Sequence, residues 1–489
     1  MKKRLYSTIA AVIVFSSLGF ATGNKINSSG VRISKGKNPV LLNAKGKPFV
    51  AKGIVYYQPQ ASHHYFFEML DLKRVPRDLE IFRKAGFNTI CITINWGEIF
   101  KEVDPKNSYK PVKFYNDRIA KIKKLLQIIR DSGFYVYISP AKEIVPPQIP
   151  AKDYPAKKDE TGRLHPSFRG YLVHNWLVDD KISAGFKYYL EYMAKLLSPF
   201  DNVVVYALPY ELMNLEWPWC HVDEKLEARW QKWLHDKNPD VNYWKKRWHE
   251  TSDWKSIKDI PLPIHDWGIW HAYLDFNNIK PVDPHVLVWR DFWEFNAIGI
   301  FKTGKYGMSF EDVCGAIRKG DPDALILYKP FVPKRMSWEL GCLQEWLNKK
   351  TPPDAQKILA TIYNPPGIDI IACQGYPIAT TNPINRKAEI SFEEKVNEVK
   401  WLRRESHLPV YCQEFGINHH EWTLEECAEF LANGITEYKN LGILGYNIWQ
   451  SHDYYGGGMW GKVQPAFGIY DTNGIPHPAV KAITPLLNK

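Results

Sequence analysis

The stretch RIAKIKKLLQIIRDSGFYVYIS, residues 118–139, places a helix and a strand back to back. Ile119, Ile122, Leu125, Leu126 and Ile129 recur at the spacing that puts them on one helical face, and Gly133 supplies the stop. FYVYIS (134–139) is apolar without clean alternation, as a parallel strand covered on both faces should be. The same beat precedes it, where RDLEIFRKAG (77–86) leads into FNTICITIN (87–95). Further runs of this kind lie outward in both directions: FVAKGIVYY (49–57), VVVYALPYE (203–211), ALILYKP (324–330), IDIIACQGY (368–376), VYCQEF (410–415) and ILGYNIW (443–449). Strands alternating with helices through right-handed crossovers, eight strands in all, predict an α/β fold of the (β/α)8 barrel type. A doubly wound sheet is the alternative, but no nucleotide-binding fingerprint follows the first strand, and no fixed-period repeat is visible.

Length and composition agree with that reading. The chain has 489 residues, 45% hydrophobic and 24% charged, enough for one large core with insertions. About 110 residues separate the fourth and fifth strands, far more than one loop and helix need, and 11 of the 19 tryptophans fall between Trp217 and Trp293. An insertion over 215–320 is therefore expected on the C-terminal face of the barrel. Trp230 and Trp233 read as its core, while the tryptophans of WPW (217–219) offer sugar-stacking platforms.

The N-terminus, MKKRLYSTIAAVIVFSSLGFATGN, has a basic start, an apolar run from Ile9 to Ala21 and small residues at Ala21 and Gly23. The run is shorter than the roughly 20 residues of a membrane span. It predicts a signal peptide over 1–23, a secreted or periplasmic protein, and a single catalytic domain over 24–489; an uncleaved anchor is the alternative. Seven cysteines are an odd number, and Cys91, Cys373 and Cys412 sit inside strand-like runs as small buried hydrophobes. The net charge of +11 falls to +8 once Lys2, Lys3 and Arg4 leave with the signal (11 − 3). That mild excess, without a basic block interleaved with aromatics, argues against nucleic acid as a partner.

In a barrel, polar residues at strand C-termini have catalytic opportunity. Here they are Asn95, Glu211, Gln374, Glu414 and Gln450, with the aromatics Tyr57, Trp96, Tyr376 and Trp449 beside them. Glutamates on strands four and seven lie across the mouth, as flanking a glycosidic bond requires, and aromatic rings suit the apolar faces of sugars. A single strand-end glutamate is more often a salt-bridged mouth residue; two at these strand ends point to chemistry.

The motifs then resemble a known group. LPVYCQEFGI (408–417) resembles the seventh-strand nucleophile motif of clan A glycoside hydrolases of the family 5 and family 2 type, and GYNIWQSHD (445–453) resembles their eighth strand, whose Trp floors the sugar subsite. FGIYDTNGIPHPAVKAI (467–483) is similar to the usual ending, with a turn at Asn473-Gly474 and a last helix. LLNAKGKPFVAKGIVYY (41–57) is similar to the lead-in to the first strand. The second and third strand units resemble families 42 and 35, while PPQIPAKDYPAKKDETGRLHP (146–166) and ARWQKWLHDKNPDVNYWKKRWHE (228–250) resemble family 42, the β-galactosidase type. The resemblance implies a secreted retaining β-glycosidase acting on polysaccharide or oligosaccharide, with Glu414 as nucleophile and Glu211 as acid/base. It also implies substrate contacts from Trp449, Tyr376, Gln374, Tyr210, Asn95, Trp96 and Tyr57, and no cofactor or metal. Retention predicts carboxyl groups about 5 to 5.5 Å apart.

Departures are visible too. Tyr210 stands where the clan has Asn before the acid, NTICITI carries no arginine, and family 42 has further domains that find no counterpart here. The word ELMN makes Glu216 a rival to Glu211. At about 3.3 Å of rise per residue, however, Glu216 lies roughly 16 Å beyond Glu211 on an extended strand, and a strand from Val203 is expected to end at Tyr210 or Glu211. GGGMWG (456–461) satisfies a glycine-rich pattern but opens no helix. The pairs His63-His64 and His419-His420 read as solvated loop histidines, with neither H-E-x-x-H nor any zinc-like spacing. A catalytically inactive glycan-binding barrel and a transglycosylase are the other functions considered.

Overall fold

The computed structural model describes residues 30–36, 38–60, 66–141, 144–150, 152–153, 169–171, 177–208, 224–263, 287–288, 291–292, 294–330, 353–377, 380–455 and 464–489. Eight parallel strands close into a barrel in chain order. They are β1 (Ala51–Val55), β2 (Thr89–Asn95), β3 (Tyr135–Ala141), β4 (Val203–Ala207), β5 (Ile326–Tyr328), β6 (Ile370–Gly375), β7 (Val410–Phe415) and β8 (Gly445–Ile448). Each of the eight runs read from the sequence supplies one strand. β8 pairs with β1 from Gly445↔Ala51 to Ile448↔Ile54, which shuts the ring. Closure leaves the barrel itself without an edge strand.

A helix follows each strand: α1 (Val75–Ala85), α2 (Asn116–Asp131), α3 (Asp180–Leu197), α4 (Phe310–Gly320), α5 (Pro353–Tyr363), α6 (Glu393–Ser406), α7 (Leu424–Leu441) and α8 (Pro478–Leu487). In α2 the buried residues are the five that its periodicity selects, Ile119, Ile122, Leu125, Leu126 and Ile129. α7 begins with a capping box, Thr423 accepting from the Glu426 backbone N–H, and ends on Gly442 at φ 59°, so both helix ends satisfy their orphan backbone groups. Three two-residue antiparallel strands, from Arg32 to Phe49, precede the barrel, and Phe49 stacks on Tyr135 with ring centroids 4.5 Å apart. Among the described residues no helix is long and apolar enough to cross a membrane.

β4 spans Val203–Ala207, with one further ladder bond from the Leu208 N–H to the Leu327 carbonyl, and its expected end at Tyr210 or Glu211 lies outside the described residues. The excursion after it contains helices over Glu224–Lys237 and Val241–Arg247 and a π-helix over Phe295–Lys302. Its last part, Phe310–Gly320, is the regular barrel helix α4. Trp230 and Trp233 are buried and stack at 5.2 Å with their planes 11° apart; Trp248 continues the stack at 6.1 Å from Trp230. Each of three indoles in this layer finds an acceptor: Trp230 Nε1 donates to the Pro261 carbonyl, Trp244 Nε1 to the Asn238 carbonyl, and Trp248 Nε1 to Asp291 Oδ2. Arg247 grips the buried Asp291 through Nε at 2.6 Å and Nη2 at 2.7 Å, so the charge is paired from two sides. These tryptophans are the insertion's own core. Trp217 and Trp219 lie outside the described residues.

Candidate active site

Glu414 occupies the C-terminal end of β7 and is 5% exposed. The register is irregular just there. Cys412 pairs with Cys373, but Glu414 pairs with Gln374, so Gln413 is an extra residue on β7. A bulge of this kind re-aims the side chains beside it. It sets Glu414 opposite Gln374, whose Nε2 donates to Glu414 Oε2 at 3.1 Å. Tyr376, just beyond β6, donates its phenol to the same oxygen at 2.9 Å. Partial burial, and then the Glu414 charge, hold the Tyr376 phenol well above its ordinary range, so it remains a donor throughout neutral pH. Glu414 Oε2 thus accepts from two neighbouring side chains at once.

The Glu-Phe-Gly sequence has a packing reason for each member. Glu414 turns to the mouth, while Phe415 turns out against Phe392, Tyr438 and Tyr446. Gly416 passes beneath Trp449: an added Cβ would lie 2.1 Å from the Trp449 carbonyl oxygen, closer than any side chain tolerates. The backbones are stitched there, Trp449 N–H to the Phe415 carbonyl at 2.8 Å and Gly416 N–H to the Gly375 carbonyl at 3.0 Å. The Trp449–Gln450 peptide is cis.

Trp449 is half-buried and meets the edge of Tyr57 at 5.6 Å. Tyr57 is buried at the end of β1, and its hydroxyl lies 3.2 Å from Thr93 Oγ1 of β2. Burial, chiefly, holds the Tyr57 phenol well above its ordinary range, with a contribution from the Glu414 charge. The loop after β8 is tied to β1 by Ser451, whose Oγ accepts the Tyr57 N–H and donates to the Tyr57 carbonyl, both at 3.0 Å. Gln450 is fully buried. Glu414, Gln374 and Tyr376 therefore form one hydrogen-bonded group, and Tyr57 and Trp449 form an aromatic pair at the same end of the barrel.

Asn95 and Trp96 are used differently. Asn95 caps the short helix Trp96–Ile99, and its Oδ1 also accepts from the Ile144 N–H at 3.3 Å. Trp96 is fully buried, against Phe186 at 5.4 Å and Tyr189 at 6.2 Å, both on α3. The structure packs this tryptophan against a helix, a position its strand-end place in the sequence did not reveal. Glu98 completes the capping box, accepting the Phe67 N–H at 2.8 Å and the Asn95 N–H at 3.3 Å, and burial raises its carboxyl to about 7. The spacing Asn95–Glu98 was the signal that could have singled it out. Tyr210, Glu211 and Glu216 lie outside the described residues, as do His63, His64 and GGGMWG.

His419 departs from its reading as a solvated loop residue. His420 is exposed, but His419 is half-buried and its Nε2 lies 3.0 Å from Asp453 Oδ1. His477 Nε2 reaches Asp453 Oδ2 at 2.9 Å. Burial by itself would raise the Asp453 carboxyl, but the two imidazoles outweigh it and hold the group below its usual range. Sequence spacing could not show this group, because its members lie 34 and 24 residues apart.

No protein-family model matches the chain, and no curated protein matches it in sequence. Solved structures do match in fold. The exo-β-1,4-mannosidase Op5Man5 from Opitutaceae bacterium strain TAV5 has 16% identity and a TM-score of 0.54 over 93% of this chain and 62% of its own. The β-galactosidase from the Antarctic haloarchaeon Halorubrum lacusprofundi has 14% identity and a TM-score of 0.55 over 89% and 57%. GH5_18 from Streptomyces cattleya, in complex with Manβ1-4GlcNAc, has 13% identity and a TM-score of 0.52 over 90% and 80%. The chain thus spans about three fifths of the length of the first two. At these identities the likeness is one of fold.

Proposed function

We propose that the protein is a clan A retaining β-glycosidase that hydrolyses O-glycosidic bonds in an oligosaccharide or polysaccharide by double displacement. The observation that carries the reading is the buried carboxylate of Glu414 at the end of β7, with Gln374 and Tyr376 both donating to Oε2. Donors of this kind fix the direction in which Glu414 points, which an attacking carboxylate needs. The half-buried ring of Trp449, beside Tyr57, offers a floor for the apolar face of a sugar.

In the first step Glu414 attacks the anomeric carbon while a carboxylic acid protonates the departing oxygen. In the second, that same group, now a carboxylate, takes a proton from the water that displaces Glu414. Glu211 is our assignment for this acid/base, with Glu216 as the rival. β-Mannosides and β-galactosides are the first substrates to try, because a β-1,4-mannosidase, a β-galactosidase and a Manβ1-4GlcNAc complex share the fold. The N-terminal pattern over 1–23 leads us to place the enzyme in the periplasm or outside the cell.

The test is a panel of aryl β-glycosides and β-linked glycans with the wild type, Glu414→Gln, Glu211→Ala and Glu216→Ala. Glu414→Gln should abolish turnover of every substrate, and proton NMR should show the β-anomer as first product. Glu211→Ala should spare substrates with good leaving groups and be rescued by azide. Wild-type turnover in Glu414→Gln overturns the reading, and azide rescue of Glu216→Ala instead moves the acid to that residue. Glycan binding without hydrolysis in the wild type would favour an inactive binding barrel.

A further inference from the structure

Beyond the sugar site, the loops after β7 and β8 and the start of α8 bring two imidazoles and one carboxylate together. The ligand atoms of His419, Asp453 and His477 all lie within 4.8 Å of one another. His419 Nε2 is 3.0 Å from Asp453 Oδ1 and 3.1 Å from Oδ2, and His477 Nε2 is 2.9 Å from Oδ2. We propose that His419, Asp453 and His477 form a zinc-type divalent cation site that clamps these loops together.

The geometry suits such an ion. Zinc takes imidazole nitrogen and carboxylate oxygen at about 2.0–2.2 Å, so tetrahedral ligand atoms stand roughly 3.4 Å apart. From 2.9–3.1 Å, small side-chain movements reach that spacing. Two nitrogen ligands favour zinc and its borderline neighbours over calcium or magnesium, which prefer all-oxygen sites. The three side chains are 28%, 15% and 19% exposed, so water can reach the open fourth position.

The site is also held from behind. The segment Ala466–Ile469 contacts all three ligand residues: the His419 N–H donates to the Ala466 carbonyl, the Gly468 N–H to Asp453 Oδ1, and the His477 N–H to the Ile469 carbonyl, each at 2.9 Å. Gly468 is needed for this approach, since a Cβ there would sit 2.0 Å from the Asp453 backbone nitrogen. A hydrogen bond that orients the ligating carboxylate is the kind of support that metal sites use. Asp453 lies four residues beyond Trp449 in the same loop, so the ion would stiffen the segment that carries the proposed sugar platform.

The experiment is calorimetric titration of zinc chloride into chelator-stripped, dialysed protein, with metal analysis of the product. The wild type should bind one equivalent above a His419→Ala/His477→Ala baseline, and its melting temperature should rise with zinc. His477→Gln retains an amide that can donate to Asp453 but removes the imidazole. It should melt like the wild type without zinc and bind zinc at least about tenfold more weakly. Zinc uptake equal to the double-variant baseline, or wild-type binding by His477→Gln, would reduce the cluster to a hydrogen-bonded bridge and overturn the proposal. The readout is binding, so either outcome leaves the glycosidase reading to its own test.

Discussion

The phenol of Tyr376 donates to Glu414 Oε2 across 2.9 Å, from just beyond β6 to the end of β7. NTICITI on β2 carries no arginine, so Gln374 on the neighbouring strand β6 and Tyr376 just beyond it support the carboxylate. A hydrogen bond to a charged group is worth about 1.5–3 kcal/mol. Tyr376→Phe should therefore lower kcat/KM by about 10- to 100-fold. Steady-state kinetics on the best aryl glycoside, with the melting temperature as a folding control, check it; unchanged kinetics would remove Tyr376 from the proposed machinery.

Gly416 tests the packing of that strand end. With a Cβ only 2.1 Å from the Trp449 carbonyl, Gly416→Ala must push β7 and β8 apart. Overpacking of this kind costs about 1–3 kcal/mol. Denaturant unfolding should show that loss, accompanied by lower activity because Glu414 is two residues away. Wild-type stability and turnover together would show that the strands give way at no cost.

Glu98 gives a pH dependence. Its carboxyl is buried and raised from 4.5 to about 7, so below pH 4.5 both folded and unfolded chains carry the proton and the residue costs nothing. As pH rises toward 7 the unfolded chain ionises first, and stability falls by up to about 3 kcal/mol. Glu98→Gln keeps an acceptor for the Phe67 N–H, gives up the weaker 3.3 Å bond from the Asn95 N–H, and removes the titration. Melting temperatures from pH 4.5 to 8 should fall less steeply in the variant than in the wild type; parallel curves would contradict the shift.

Trp230 anchors the insertion, stacked on Trp233 and Trp248 and edged by Phe292 and Phe295. Trp230→Ala should cost about 3–5 kcal/mol, as large-to-small changes at packed aromatic sites do. Chemical denaturation followed by tryptophan fluorescence measures it. A loss below 1 kcal/mol would mean that the stack is not a core.

The eight strands, the five inward residues of α2 and the buried Cys91, Cys373 and Cys412 were legible in the sequence, because apolar period and turn residues act over a few neighbours. The strand-end position of Glu414 was legible for the same reason. What each strand end faces was not. Trp96 and Trp449 both follow apolar strands, yet one packs on Phe186 and Tyr189 and the other meets Tyr57. The choice depends on which helix or loop crosses above, a contact between distant parts of the chain. The bulge at Gln413 and the shifted pKa of Glu98 arise in the same way, from strand pairing and desolvation. So does the meeting of His419 and His477 on Asp453: barrel closure sets β7 beside β8 and brings their loops together. Local pattern determined the elements and their inward faces. Only the closed barrel decided which side chains meet, because those distances are set by the ring of strands and not by separation along the chain.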